Sequence, residues 1–214
     1  MPKQPRTARG RATRERIVRA AAELVAKRGV AGTSLDDVRE IAHASKSQLY
    51  LYFADRDELL RAVAKSTCDS VLETQADALA NFDSITGIER YLDEIVALQV
   101  ERNTPGCPIG SLAGQLIERD EASRLILADG LERWELSLRN GLEAMAAREQ
   151  LRPDANPVLL ASQTLMLLQG GLLLSQVRRD PSQMRIAADT VLELIRAACL
   201  TSTPPRDATP TPLG

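Results

Sequence analysis

Aromatic residues make up only 3% of this 214-residue chain, and histidine occurs once. A core with so few rings must be filled by aliphatic and alanine side chains, which suits close helix packing. The chain has no Cys-x-x-Cys, no His-Glu-x-x-His, no glycine-rich phosphate loop and no serine in a nucleophile elbow. Without these, no constellation is left to carry catalysis, and neither an enzymatic activity nor a cofactor or metal is expected. The pair Asp36-Asp37 fits first-turn charge at a helix N-terminus better than a metal site. Three cysteines without a leader-like segment argue against a disulfide framework and lead us to expect a reducing, cytoplasmic setting. The longest apolar runs, at 165–168 and 170–174, fall well short of the roughly 18 residues that span a bilayer, so no membrane partner is expected. Strand-like alternation is missing throughout. With 44% apolar residues, the chain has enough material for one large or two small cores. The reading is an all-α protein of about nine helices.

The net charge of −2 conceals a division. Residues 1–65 hold 14 Lys/Arg and 8 Asp/Glu, whereas the remainder holds 13 basic and 21 acidic residues. A basic head on an acidic body is the distribution expected of a nucleic-acid-binding domain joined to a domain with another task.

The segment 33–53 carries the most information. Thr33 or Ser34 caps a short helix, and Asp36 or Asp37 completes a capping box. Leu35, Val38 and Ala42 then form an apolar stripe. Ser45 caps a second short helix whose Leu49 and Phe53 point inward. Lys46, Ser47, Gln48, Tyr50, Leu51 and Tyr52 are left facing outward. A helix this short is not stable alone, and polar groups near its N-terminus suit a major groove. Lys46 reaches a guanine edge or a phosphate, and Gln48 pairs with adenine. Ser45-x-x-Gln48 is also a capping-box pattern, so Gln48 has a second reading as a backbone partner of Ser45.

The stretch 13–60 resembles the N-terminal domain of the TetR family of bacterial transcription regulators. The resemblance rests on a first helix closed by Gly29, then Thr33-Ser34, Ala42-x-x-Ser45, Leu49-Tyr50-x-Tyr52-Phe53, and Arg56 before Leu59. It implies a three-helix helix-turn-helix domain contacting DNA through Thr33, Ser34, Lys46, Ser47, Gln48, Tyr50, Leu51, Tyr52 and Arg56, with Tyr50 and Tyr52 at phosphate-contacting positions. The family usually has Gly where this chain has His43; that position calls for positive φ, and His is among the few non-glycine residues enriched there.

Residues 1–12, rich in Arg, Lys, Pro and Gly, read as a disordered basic arm, either following phosphates or merely solvated. Residues 61–200 read as an effector-binding and dimerisation domain, and residues 201–214, with four prolines, as a disordered tail. The expected helices of the head and its link are 14–28, the two short ones, and 56–80. Those of the body are 88–101, 109–119, a long one from Asp120, 157–177, and a last one ending near 200. The helix from Pro157 is apolar nearly all round and so must be covered on more than one side. Gly170-Gly171 within it costs roughly 1 kcal/mol per residue against Ala, which close helix approach would explain.

The family resemblance implies a homodimer through the last two helices, here placed on Gly170, Leu174, Val191 and Ile195. The segments 106–113, 169–174 and 177–180 are similar to the LmrA/YxaF-like repressors of the family, which answer drug-like or flavonoid-like molecules. Tyr91, Ile95, Gln99, Trp134, Leu138 and Gln163 fall on inward stripes and are the expected effector lining; plain core is the competing reading. Cys107 beside Pro108 reads as a packing thiol ahead of a redox sensor. The reading is thus a repressor released from a double-stranded palindromic operator by a small, largely apolar ligand. The alternatives are a helical-bundle enzyme or carrier with an inactive head, and an interaction module without an effector.

Overall fold

A computed structural model describes residues 5, 7–101 and 106–200. Ten helices account for almost all of them: α1 (Ala8–Arg28), α2 (Leu35–Ile41), α3 (Lys46–Tyr52), α4 (Arg56–Thr74), α5 (Ala76–Ala80), α6 (Ile85–Glu101), α7 (Pro108–Leu116), α8 (Glu121–Ala147), α9 (Pro157–Arg178) and α10 (Ser182–Ala198). Among the described residues the only strand-like pairing is an isolated antiparallel bridge between Leu151 and Cys199.

The head is α1 to α3, with Ile17, Ala21, Leu24 and Val25 of α1 closing on Val38, Leu49 and Phe53. Helix α1 starts earlier than its composition suggested. Thr7 Oγ1 accepts the Gly10 N–H at 3.1 Å, Thr13 Oγ1 donates to Arg9 O, and so residues 8–12 are helix and not arm. The remainder of the expected arm, apart from Pro5 and Thr7, lies outside the described residues, as does the 201–214 tail. Gly29 ends α1 at φ 73°, and its N–H bonds to Val25 O.

Helix α4 leaves the head and runs into the body, but ends at Thr74 and not near residue 80. The chain turns at Gln75, whose Nε2 donates to Val71 O at 3.1 Å and whose Oε1 accepts from the Tyr91 hydroxyl at 3.0 Å. The short α5 follows, which accounts for the tenth helix. Ser84 starts α6 three residues early by accepting the Gly87 N–H on its Oγ. Helix α7 begins one residue earlier than expected because Pro108 occupies its first turn and the Cys107 sulfur accepts the Gly110 N–H at 3.4 Å.

The body is built on α8 and α9, with α4 and α7 against α8 and α10 lying along α9. Trp134, Leu138, Leu142 and Met145 form the buried stripe of α8. Each fully buried Leu contributes about 1.5–3 kcal/mol. Gly171 sits where α9 meets α10: a Cβ there would lie 2.5 Å from that of Ala187. Gly170, by contrast, faces open space.

By length and composition α9 is the one described helix able to cross a membrane, a possibility that short apolar runs had concealed. The fold uses it otherwise: its Leu160, Leu165, Leu168 and Leu172 are buried in the body.

Candidate nucleic-acid interface and ligand cavity

The turn between α2 and α3 is a helix stop built around His43, at φ 46°. Its N–H bonds to Glu40 O at 3.1 Å, and the Ala44 N–H reaches back to Arg39 O at 3.0 Å. This paired 5→2 and 6→1 arrangement is the Schellman motif, which places its special residue in the left-handed region. From α1, Arg16 Nε donates to Ala42 O at 2.8 Å and clamps the same turn from outside. Nothing in the spacing of Arg16 announced that role.

Both capping boxes of the head form. Ser34 Oγ accepts the Asp37 N–H, and Asp37 Oδ2 accepts the Ser34 N–H. The Ser34 hydroxyl beside Asp37 holds that carboxyl below the usual carboxylate range. Ser45 Oγ accepts the Gln48 N–H at 3.1 Å, and Gln48 Oε1 accepts the Ser45 N–H at 2.9 Å. Of the two readings of Gln48, the backbone partner is therefore the one the structure shows. Lys46, Ser47, Gln48, Tyr50 and Leu51 are exposed on one side of α3.

Three of the nine expected DNA contacts are placed differently. Tyr52 is only 9% exposed, because the α1 extension covers it: a Cβ on Gly10 would lie 3.3 Å from its hydroxyl. Thr33 is buried and donates to Gly29 O at 2.9 Å. Arg56, half-buried, donates to Thr33 O and Val30 O, fastening α4 to the loop between α1 and α2. These three shape the interface from behind. Ser34, also exposed, stands at the start of α2.

In the body, Trp134 Nε1 donates to the Tyr91 hydroxyl at 2.7 Å, which in turn donates to Gln75. Burial pushes the Tyr91 hydroxyl well above its ordinary pKa, so it stays neutral. Phe82 packs edge-on to Tyr91 with ring centroids 5.1 Å apart. Ile95, Gln99 and Trp134 border an internal cavity of about 30 Å³, together with the end of α4, the Gly106–Pro108 turn and Leu172. That is room for about one water. Gln99 is spent there on the Gly106 N–H at 2.6 Å.

Tyr91 and Leu138 are fully buried but do not border the cavity, and Gln163 is half-buried away from it. Gln163 instead falls on an outward stripe of α9 with Leu159, Met166, Gly170, Leu173 and Val177. Gln75 and Leu98, which sequence reasoning passed over, do border the cavity; Gln75 sat inside what read as an uninterrupted helix.

Of the four residues placed at a subunit interface, Val191 and Ile195 are fully buried within this single chain. Their apolar stripe on α10 serves the fold and has no surface to offer a partner. Leu174 is exposed and Gly170 faces outward. Cys68 is buried too, and burial with the nearby Asp69 pushes its thiol up to about 11.

Comparison with known proteins bears on both halves of the chain. Residues 17–63 match the bacterial regulatory proteins of the tetR family, and residues 85–191 match the tetracyclin repressor-like C-terminal domain. The chain belongs to the TetR family. An uncharacterized HTH-type transcriptional regulator in the lacX 3′ region of Lactococcus lactis subsp. lactis is 28% identical over 181 residues, 79% of this chain and 86% of that one. The HTH-type transcriptional regulator LmrA of Bacillus subtilis (strain 168) is 24% identical over 187 residues, 86% of this chain and 97% of that one. YxaF of the same strain, an uncharacterized HTH-type transcriptional regulator, is 23% identical over 187 residues, 86% and 95% of the two chains.

A solved TetR-family regulator from Cytophaga hutchinsonii superposes with a TM-score of 0.78 at 17% identity, covering 92% of this chain and all of that one. At that identity the likeness concerns the fold. As a TetR-family member the chain is a helix-turn-helix, DNA-binding transcriptional regulator and not an enzyme.

Proposed function

We propose that the protein is a homodimeric cytoplasmic repressor that holds a palindromic operator and leaves it when a small, largely apolar ligand binds. The observation that carries this reading is the way two helices join the interior of the body to the head. Helix α4 borders the internal cavity at its far end and carries Arg56, latched to the head, at its near end. Helix α7 borders the cavity at Pro108, and its Gln115 Oε1 accepts the Val30 N–H of the head at 2.7 Å. A ligand that displaces either helix must therefore move the head.

The outward stripe of α9 supports the dimer. Leu159, Gln163, Met166, Gly170, Leu173 and Val177 follow one another at spacings of four and three, the seam of paired helices. Met166 is 64% and Val177 71% exposed in a single chain. Large contiguous apolar surface of this kind marks an interaction site. Pairing two chains along it would give the two copies of α3 a fixed separation. A two-fold protein reads half-sites about 34–36 Å apart on successive major grooves. Ligand and DNA then oppose one another reciprocally, since coupling free energy acts equally on both affinities.

Selecting binders of the purified protein from a random DNA pool tests the reading. Enrichment of one inverted repeat is expected. A pool that stays random after several rounds, with the protein shown to be folded, would overturn it.

A further inference from the structure

The internal cavity is a poor ligand site as it stands. It holds about 30 Å³, and the polar side chains around it are already committed to one another through Trp134, Tyr91 and Gln75. A larger space lies on the other side of the Gly106–Pro108 turn. It is a cleft of about 470 Å³ between head and body, walled by α1, α4, α7 and the end of α9. Small-molecule sites commonly range over about 300–1,000 Å³.

The chemistry of the walls is specific. Val25, Val63 and Leu112 give an apolar floor. Thr67, Ser111, Gln115 and Gln176 supply neutral donors and acceptors. None of the described residues lining the cleft is charged. Ser111 and Gln176 are hydrogen-bonded to one another across it at 3.1 Å, and Gln115 makes the bond to Val30. Each of these bonds joins neutral side-chain or backbone groups at the cleft's edge. Such bonds contribute little net stability, since groups of the same kind replace them readily, so a ligand offering equivalent groups exchanges for them at little cost.

We infer that this junction cleft, and not the internal cavity, is where the effector binds. The ligand class is an uncharged molecule with a flat or bulky apolar body and a few hydrogen-bonding groups. The inference rests on the regulator reading above and adds its location and chemistry. A molecule seated there touches α1 of the head and α7 of the body at once. It competes for Gln115 and so releases Val30, which no occupant of the internal cavity does directly. Cys107 and Pro108 border both spaces, so the turn between them is the partition.

The test uses the full chain and the uncharged fluorescent dye Nile red as probe. Ala26 lies exposed on the α1 wall, so Ala26→Trp fills the cleft without disturbing the core. Leu98→Phe fills the internal cavity. Thermal unfolding confirms that both variants fold, and binding to selected DNA without dye is measured first. Saturable dye binding to the parent chain is expected, weakened at least tenfold by Ala26→Trp and within twofold of parent in Leu98→Phe. Loss of binding in Leu98→Phe with retention in Ala26→Trp would place the site in the internal cavity and overturn the inference. So would the absence of saturable binding to the parent chain. A chain with no preference for selected DNA fails the regulator reading, and that failure is seen before any dye is added.

Discussion

His43 occupies a left-handed position that glycine takes at no steric cost, and the Schellman bonds to Glu40 and Arg39 hold it there. A non-glycine residue in this region costs roughly 1–2 kcal/mol, partly offset in the exchange because glycine loses more chain entropy on folding. His43→Gly should therefore stabilise the protein by about 1 kcal/mol, read as a rise in the urea midpoint at unchanged slope. Gln48 is a second residue with a double duty. Gln48→Glu keeps an acceptor for the Ser45 N–H but removes the amide donor and adds charge facing DNA. Stability should stay within about 0.5 kcal/mol while operator affinity falls. Gln48→Ala should lower both. Equal operator binding by parent and Gln48→Glu would show that Gln48 serves only as a cap. Both capping boxes were legible in the sequence, because each is a local pattern of four residues, whereas the positive φ at His43 was implied by the family resemblance, which usually has Gly there. Tyr52, Thr33 and Arg56 were not. Their burial is imposed by α1 and by the loop before α2, contacts made across 20 or more positions, or, for Thr33, by a turn whose shape no motif specifies.

At the scale of elements, the boundary errors share a cause. Helix α4 stops at Thr74 because Gln75 is drawn to Tyr91, a residue on another helix, and periodicity within α4 carries no sign of it. Helix α1 starts at Ala8 because Thr7 caps it, although arginine-rich composition suggested an unstructured arm. The apolar stripes of α6 and α8 were legible and correctly inward, but inwardness alone does not separate core from cavity lining, which is why Leu138 is core; Gln163, on α9, lies on the outward stripe instead. Helix α7 is the element whose position decides the coupling of head and body. Replacing Gln115 with Leu removes the acceptor of the Val30 N–H and leaves that amide without its partner, at a cost of about 1–3 kcal/mol. Amide hydrogen exchange should then accelerate selectively in residues 29–34, with α8 and α9 unchanged. Unaltered protection in that loop would mean that α7 does not hold the head.

For the whole molecule, one exposed seam on α9 stands out against an otherwise ordinary surface. Placing Glu at Met166 or at Gly170 sets a charge on that seam while the interior of the single chain is untouched, since Gly170 faces open space. Burying an unpaired charge in an interface costs several kcal/mol. Light scattering should report monomers that keep their helical circular dichroism, and a dimer surviving both substitutions would put the interface elsewhere. The sequence showed that α9 holds more apolar residues than one face requires. It did not show which residues the single chain consumes, since Val191 and Ile195 differ from Leu173 and Val177 only in which neighbour they meet.

The central claim is that two recognition helices are held at a fixed separation matching the DNA repeat, and half-site spacing tests it most directly. Inserting five base pairs between the halves of the selected operator turns one half-site to the opposite face of the duplex, about half of the 10–10.5 base-pair turn. Measured by fluorescence anisotropy, affinity should fall to that of an isolated half-site and recover in part when ten base pairs are inserted. Affinity that ignores the spacing would mean that the heads bind independently, and would contradict the account.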